Sequence, residues 1–190
     1  ALDPGNPVAL QALGMIALRE GRHAEAVEFF RKAAGEGDGP ARADLGTALA
    51  LAGRMAEAEQ VLRAALAAAP RDAHVWGAWG NLLFRTGRDA EAVEAHRRAN
   101  ALRPGDPNTH LNLGAALASA GRDEEAVLWL AHALAARPDA DEARYNLALC
   151  LARMGRAAEA EAQLGELLRR NARLGEALGG VLDSERGKSP

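Results

Sequence analysis

The side chains in this chain that could do chemistry are its histidines, one cysteine and a regular series of arginines. His74, His96, His110 and His132 are of the type that ligates zinc or shuttles protons. A metal site needs ligands closely spaced on one face, and neither HExxH nor a comparable pair occurs. His96 and His110 fall where other segments carry apolar residues, so they read as structural side chains, placed to be neighbours across a junction. Cys150 stands alone, which excludes a disulfide framework within the chain and suits a small buried apolar side chain. Serine, histidine and aspartate form no nucleophile elbow, and no glycine-rich phosphate loop is present. Arg22, Arg54, Arg88, Arg122 and Arg156 recur as if to form an anion-binding edge. Glu25, Glu57, Glu91, Glu125 and Glu159 follow three residues later, which predicts ion pairs on a solvated edge. A non-enzymatic chain with no catalytic residue, cofactor or metal is expected.

The elements that carry these residues repeat. Leu13-Gly14, Leu45-Gly46, Trp79-Gly80 and Leu113-Gly114, followed by Leu147-Ala148, recur in steps of 32, 34, 34 and 34 residues. Gly21, Gly53, Gly87, Gly121 and Gly155 keep the same steps. A period in this range means stacked units that bury apolar faces against one another, without a central pocket. Alanine and leucine dominate the 48% apolar content, and aromatics are 4%, so the units are helical. In the third unit Trp76, Trp79, Gly80 and Leu83 keep helical spacing, as do Ala92, His96 and Ala99 after the break at Gly87-Arg88. This predicts a helical hairpin, with Asp72 capping its first helix, Asp89 its second, and Gly87 ending the first in the left-handed conformation. Pro104 closes the unit, as Pro4, Pro70 and Pro138 do elsewhere, while Asp38 and Ala172 stand at the other two junctions. Gly14, Gly46, Gly80 and Gly114 each cost roughly 1 kcal/mol relative to alanine inside a helix. Ala26, Ala58, Ala92 and Ala126 are expected to face them and let the paired helices approach.

The recurring Trp/Leu, Gly, Gly, Ala, Phe/Leu, Ala and Pro resemble the tetratricopeptide repeat family over about residues 7 to 174. That resemblance implies an all-α, right-handed superhelical solenoid of helix-turn-helix repeats. The expected organisation is the tail of a preceding repeat at 1–6 and repeats at 7–38, 39–72, 73–106, 107–140 and 141–172. A C-terminal capping helix at 173–183 and a disordered tail at 184–190 follow. The capping helix carries Leu174, Leu178, Val181 and Leu182 on one face and is weakened by Gly175, Gly179 and Gly180. The opening Ala1 to Pro7 nearly repeats Ala101 to Pro107, so the chain reads as a fragment of a longer one. Its composition points to a bacterial source.

In this family the first helices line a concave surface, and the helical period picks out the residues that point away from the packing stripe. The expected partner-binding groove comprises Met15, Leu18, Arg19, Leu51, His74, Asn81, Phe84, Arg85, Asn108, Leu111, Asn112, Tyr145, Asn146 and Arg153. Met15, Leu18, Phe84, Leu111 and Tyr145 supply apolar anchors, and Arg19, Arg85 and Arg153 could pair with carboxylates or backbone carbonyls. Some family members grip a chaperone's C-terminal carboxylate. Asn81 and Asn112 match their asparagines, but Gly77, Glu142 and Asn146 occupy the basic places. The asparagine ladder of the O-GlcNAc transferase arm is matched at Asn112 and Asn146 and broken at Ala12, Asp44 and Ala78. The expected role is a scaffold holding a protein or peptide segment. The alternative is the substrate-recruiting arm of a larger enzyme, such as a glycosyltransferase, whose catalytic domain lies elsewhere. A net charge of -3 argues against nucleic acid, and no apolar run is long enough for membrane insertion. An uncovered first hairpin would allow head-to-tail self-association. The cytoplasm is the favoured compartment, with the periplasm left open.

Overall fold

The computed structural model describes residues 6–35 and 38–186, which hold eleven α-helices and no strand. The chain divides into two units, residues 1–104 and 105–190. The first contains α1 (Pro7–Arg19), α2 (His23–Ala33), α3 (Gly39–Leu51), α4 (Met55–Ala68), α5 (Ala73–Arg85) and α6 (Asp89–Leu102). The second contains α7 (Pro107–Ser119), α8 (Asp123–Ala136), α9 (Asp141–Arg153), α10 (Ala157–Arg170) and α11 (Ala172–Arg186). Each odd-numbered helix up to α9 packs on the even-numbered one that follows it, forming a hairpin. Of the expected N-terminal tail, residues 1–5 lie outside the described residues, and Asn6 caps α1. At the other end α11 continues to Arg186, three residues into the expected disordered tail, and residues 187–190 lie outside the described ones.

The hairpin turns share one hydrogen-bond pattern. The backbone N–H groups of Arg22, Arg54, Arg88, Arg122 and Arg156 donate to the carbonyls of Ala17, Leu49, Leu83, Leu117 and Leu151 at 2.8–2.9 Å. Closing that six-residue loop requires a positive φ just before the donor, and Gly87, for example, sits at φ 73°. Of the first helices, α1, α3, α5 and α7 begin on side-chain caps, while α9 begins after Ala140, which offers none. Asp72 accepts from the His74 N–H at 2.7 Å, as expected, and Asn6, Asp38 and Asp106 do the same for Val8, Ala41 and Asn108. Asp89 does not cap α6. It is the first helical residue, with Arg88 at the cap position making no side-chain cap, so Asp89 contributes charge at the positive helix end.

The helical glycines are explained by a different partner from the alanines expected. A Cβ on Gly14 would lie 2.7 Å from the Phe30 ring, on Gly46 2.5 Å from Leu62, on Gly80 2.6 Å from His96, and on Gly114 2.6 Å from Leu130. The neighbour is the large side chain four positions past the alanine, so the glycine makes room for a bulky residue of the second helix. Gly175 has the same kind of cause. Its Cβ would come within 2.8 Å of the Leu168 Cα, and backbone cannot swing aside, so the feature that weakens α11 is what lets it approach α10.

In the first unit Ala17, Val27, Phe30, Leu49, Leu62, Val75 and Leu82 form one buried cluster spanning α1 to α5. In the second, Ala148, Leu167, Leu178 and Leu182 close the core around α9, α10 and α11. At roughly 1.5–3 kcal/mol for each fully buried large side chain, these clusters hold the first helices in register.

Candidate functional site

α1, α3 and α5 carry the first unit's share of the expected groove. Met15, Leu51 and Phe84 are exposed on successive first helices, while Leu18 is half-buried against the core. Arg19 and Arg85 end α1 and α5, both exposed, and neither has an ion-pair partner among the described residues. Asn81 is exposed on α5. His74 is tied down: its Nε2 lies 2.8 Å from Asp44 Oδ1, linking α5 to α3. The Asp44 hydrogen bond raises the His74 pKa above its ordinary value, partial burial opposes it, and Asp72 adds to the rise. A raised folded-state pKa contributes stability that is fully present below the unfolded pKa and is lost as pH rises through the folded one. Asp44→Asn is expected to lower the His74 titration midpoint, followed by NMR of its ring protons; an unchanged midpoint would dismiss the pairing.

In the second unit Asn108 is exposed on α7, Leu111 and Asn112 are half-buried there, and Asn146 is half-buried on α9. Tyr145 is also half-buried, packed against the cluster of α9, α10 and α11. Arg153 is engaged inside the chain. Its guanidinium pairs with Asp123, with Nε 3.0 Å from Oδ2, and donates to the Ala118 carbonyl at 3.0 Å. It thus braces α9 against α7 and α8, where the sequence suggested a hand held out to a partner. Cys150 is buried beside this bracket, and burial followed by the Asp123 contact pushes its thiol up to about 12, which makes it inert at neutral pH.

The other candidate features are placed as follows. Arg22, Arg54, Arg88, Arg122 and Arg156 pair with Glu25, Glu57, Glu91, Glu125 and Glu159 respectively. Hydrogen bonds from the guanidinium lower the pKa of Glu57, Glu91 and Glu159. His96 is buried against Gly80. The His110 ring lies 5.2 Å from Trp129 and 5.8 Å from His132. Among the described residues no three His, Cys, Asp or Glu side chains are grouped to hold a metal ion. None of the helices there is long and apolar enough to cross a membrane. An open depression of about 710 Å³ lies between α5 and α6, walled by Ala95 and by Trp76, Trp79 and Leu83, which the sequence presents as packing residues.

Asp44 with His74 and Asp123 with Arg153 were not evident in the sequence. Each is separated by 30 residues, just short of the repeat period, and that near-period spacing between opposite charges was the available signal.

Models of the tetratricopeptide repeat match at residues 17–82, 109–144 and 130–176, and a TPR repeat model matches at 80–121, so the matches together run from 17 to 176. The chain belongs to the tetratricopeptide repeat family. No curated protein sequence matches it. Among solved structures it is similar to TTC0263, a thermophilic TPR protein of Thermus thermophilus, with TM-score 0.76 and 23% identity, covering 94% of this chain and 98% of that one. It is similar to YrrB, described as a TPR protein with an unusual peptide-binding site, with TM-score 0.69, 18% identity and 94% coverage of both chains. MamA MSR-1 aligns with TM-score 0.68 and 24% identity over 88% of this chain and 97% of that one. At these identities the likeness is one of fold, and the repeat's shared residues are the packing positions described above.

Proposed function

We propose that this chain is a non-catalytic scaffold whose first-helix face in residues 7–85 holds a segment of a partner protein. The observation that carries the reading is the row of Met15, Leu51 and Phe84. Three successive first helices each present a large apolar side chain to solvent although their opposite faces are packed. Large side chains on a rigid surface lose little freedom on binding and dominate interface energies. Arg19 and Arg85 frame the row and can donate to a partner's carboxylates or backbone carbonyls. YrrB, a protein of the same fold, has a peptide-binding site, which is consistent with this use of the repeats.

The reading is tested by selecting binders from a phage-displayed random dodecapeptide library and measuring them by calorimetry. Dissociation constants on the order of micromolar are expected, and Phe84→Ala with Arg85→Glu should weaken the selected peptides by roughly 10- to 100-fold, about 1.4–2.8 kcal/mol. Full binding by the double variant would overturn the assignment of this face.

A further inference from the structure

We propose that the open depression between α5 and α6 is a second binding site, which takes an aromatic side chain lying beside an acidic residue of a partner protein. It shares no residue with the row of Met15, Leu51 and Phe84. Trp76 and Trp79 of α5 and Ala95 of α6 wall it. Both indoles are held in place by the chain itself. Trp76 Nε1 donates to the Pro70 carbonyl at 2.9 Å, and the guanidinium groups of Arg63 and Arg88 lie 5.9 and 5.8 Å from the centre of the Trp79 ring. A surface ordered in advance loses little freedom when a partner binds.

The depression exists because one side chain of the second helix is short. At the Trp76 register stand Arg42 in α3, His110 in α7 and Arg144 in α9, and at the Ala95 register Val61, Trp129 and Gln163. In the fourth hairpin the two positions meet, with the Trp129 ring 5.2 Å from the His110 ring. In the fifth they meet again, as Arg144 Nη1 donates to Gln163 Oε1 at 3.0 Å. In the second, Val61 leaves about 320 Å³ beside Arg42. Ala95 has only a methyl group and leaves about 710 Å³ beside Trp76. The fourth hairpin also shows what fills such a place: an indole packed on an aromatic ring across the two helices. An open depression does not enclose a free small molecule, so the aromatic group has to be carried by a chain that makes further contacts around it. Charge at the rim selects the neighbour of that aromatic residue. Glu91 and Glu94 pair with Arg88 and Arg97, whereas Arg98 is exposed and has no ion-pair partner among the described residues. Arg98 holds the register of His132, whose ring meets Trp129 edge to face at 5.8 Å, so its guanidinium borders the same place. The uncompensated charge is positive and complements an Asp or Glu next to the bound ring.

Selection of phage-displayed dodecapeptides against the whole chain carrying Phe84→Ala and Arg85→Glu tests this, because that bait lacks the anchors of the first-helix face. The selected peptides are expected to share a Trp, Tyr or Phe next to an Asp or Glu, with dissociation constants on the order of 10–100 µM by calorimetry. Ala95→Trp fills the depression as Trp129 does, and Trp76→Arg supplies the residue type of α3 and α9. Each should weaken the selected peptides at least about 10-fold. The two changes lie on different helices and use residues already present at these registers, so helicity by circular dichroism should be kept. Arg98→Gln should weaken binding roughly 3- to 5-fold, and only while the peptide keeps its acidic residue. Peptides without a shared aromatic residue, or binding retained in full by either helical variant, would overturn the site. Aromatic peptides that lack an acidic neighbour and ignore Arg98→Gln would overturn the acidic partner.

Discussion

His96→Leu is expected to stabilise the protein by about 1–2 kcal/mol at neutral pH, and by considerably more in acid. His96 is 1% exposed, and its Nδ1 is buried without a hydrogen-bond partner. Leu62 and Leu130 occupy the same register one repeat to either side, and each approaches its facing glycine about as closely as His96 approaches Gly80. A leucine therefore fits the site and removes the unsatisfied nitrogen. Burial lowers the imidazole pKa from 6.5 to about 4, so it is neutral in the folded chain while the unfolded chain protonates near 6.5. The unfolded state binds the extra proton, so the stability this histidine allows is complete above pH 6.5 and is lost as pH falls towards 4. That loss amounts to about 3 kcal/mol at pH 4. Urea unfolding of wild type and variant at fixed protein concentration should show the gap widening across that window. Curves that fall in parallel between pH 6.5 and 4 would mean that His96 is not held neutral.

Phe30→Ala is expected to cost about 3–5 kcal/mol, because the ring is fully buried in the cluster joining α1, α2 and α3. Its coupling to Gly14 is the more discriminating result. In the wild type, Gly14→Ala drives a methyl to 2.7 Å from the ring, and the overpacking cost of about 1–3 kcal/mol exceeds or cancels the roughly 1 kcal/mol that alanine contributes to a helix. With Phe30 truncated the obstacle is gone and the new methyl enters the cavity. Gly14→Ala should then stabilise by about 1 kcal/mol. The substitution thus changes from destabilising or neutral to stabilising between the two backgrounds, in a double-mutant cycle read by urea midpoint. The same effect in both backgrounds would show that the glycine is not there to admit the ring.

Features that depend on a few consecutive residues could be read directly from the amino-acid order. The turn glycines had to adopt positive φ to reverse the chain, and they do. The arginine and glutamate three residues apart had to meet on one turn of helix, and all five pairs form. The repeat itself followed from periodicity, because a hairpin that cannot bury its own apolar face implies neighbours that can. Asp89 shows the limit even here: whether it caps a helix or begins it depends on where the preceding turn releases the chain.

Other features depend on how separate helices settle against one another, and their partners had to be seen in space. The glycine at each crossing faces Phe30, Leu62, His96 or Leu130 because the tilt of the hairpin brings together residues 16 apart, and composition does not specify that tilt. Arg153 looks available on a helical wheel but is claimed by Asp123 on another helix, and His74 likewise by Asp44. Local geometry is set by torsions and short-range sterics that each residue carries with it. Pairing between repeats is set by competition among many contacts of similar energy, which is resolved only once the helices have packed.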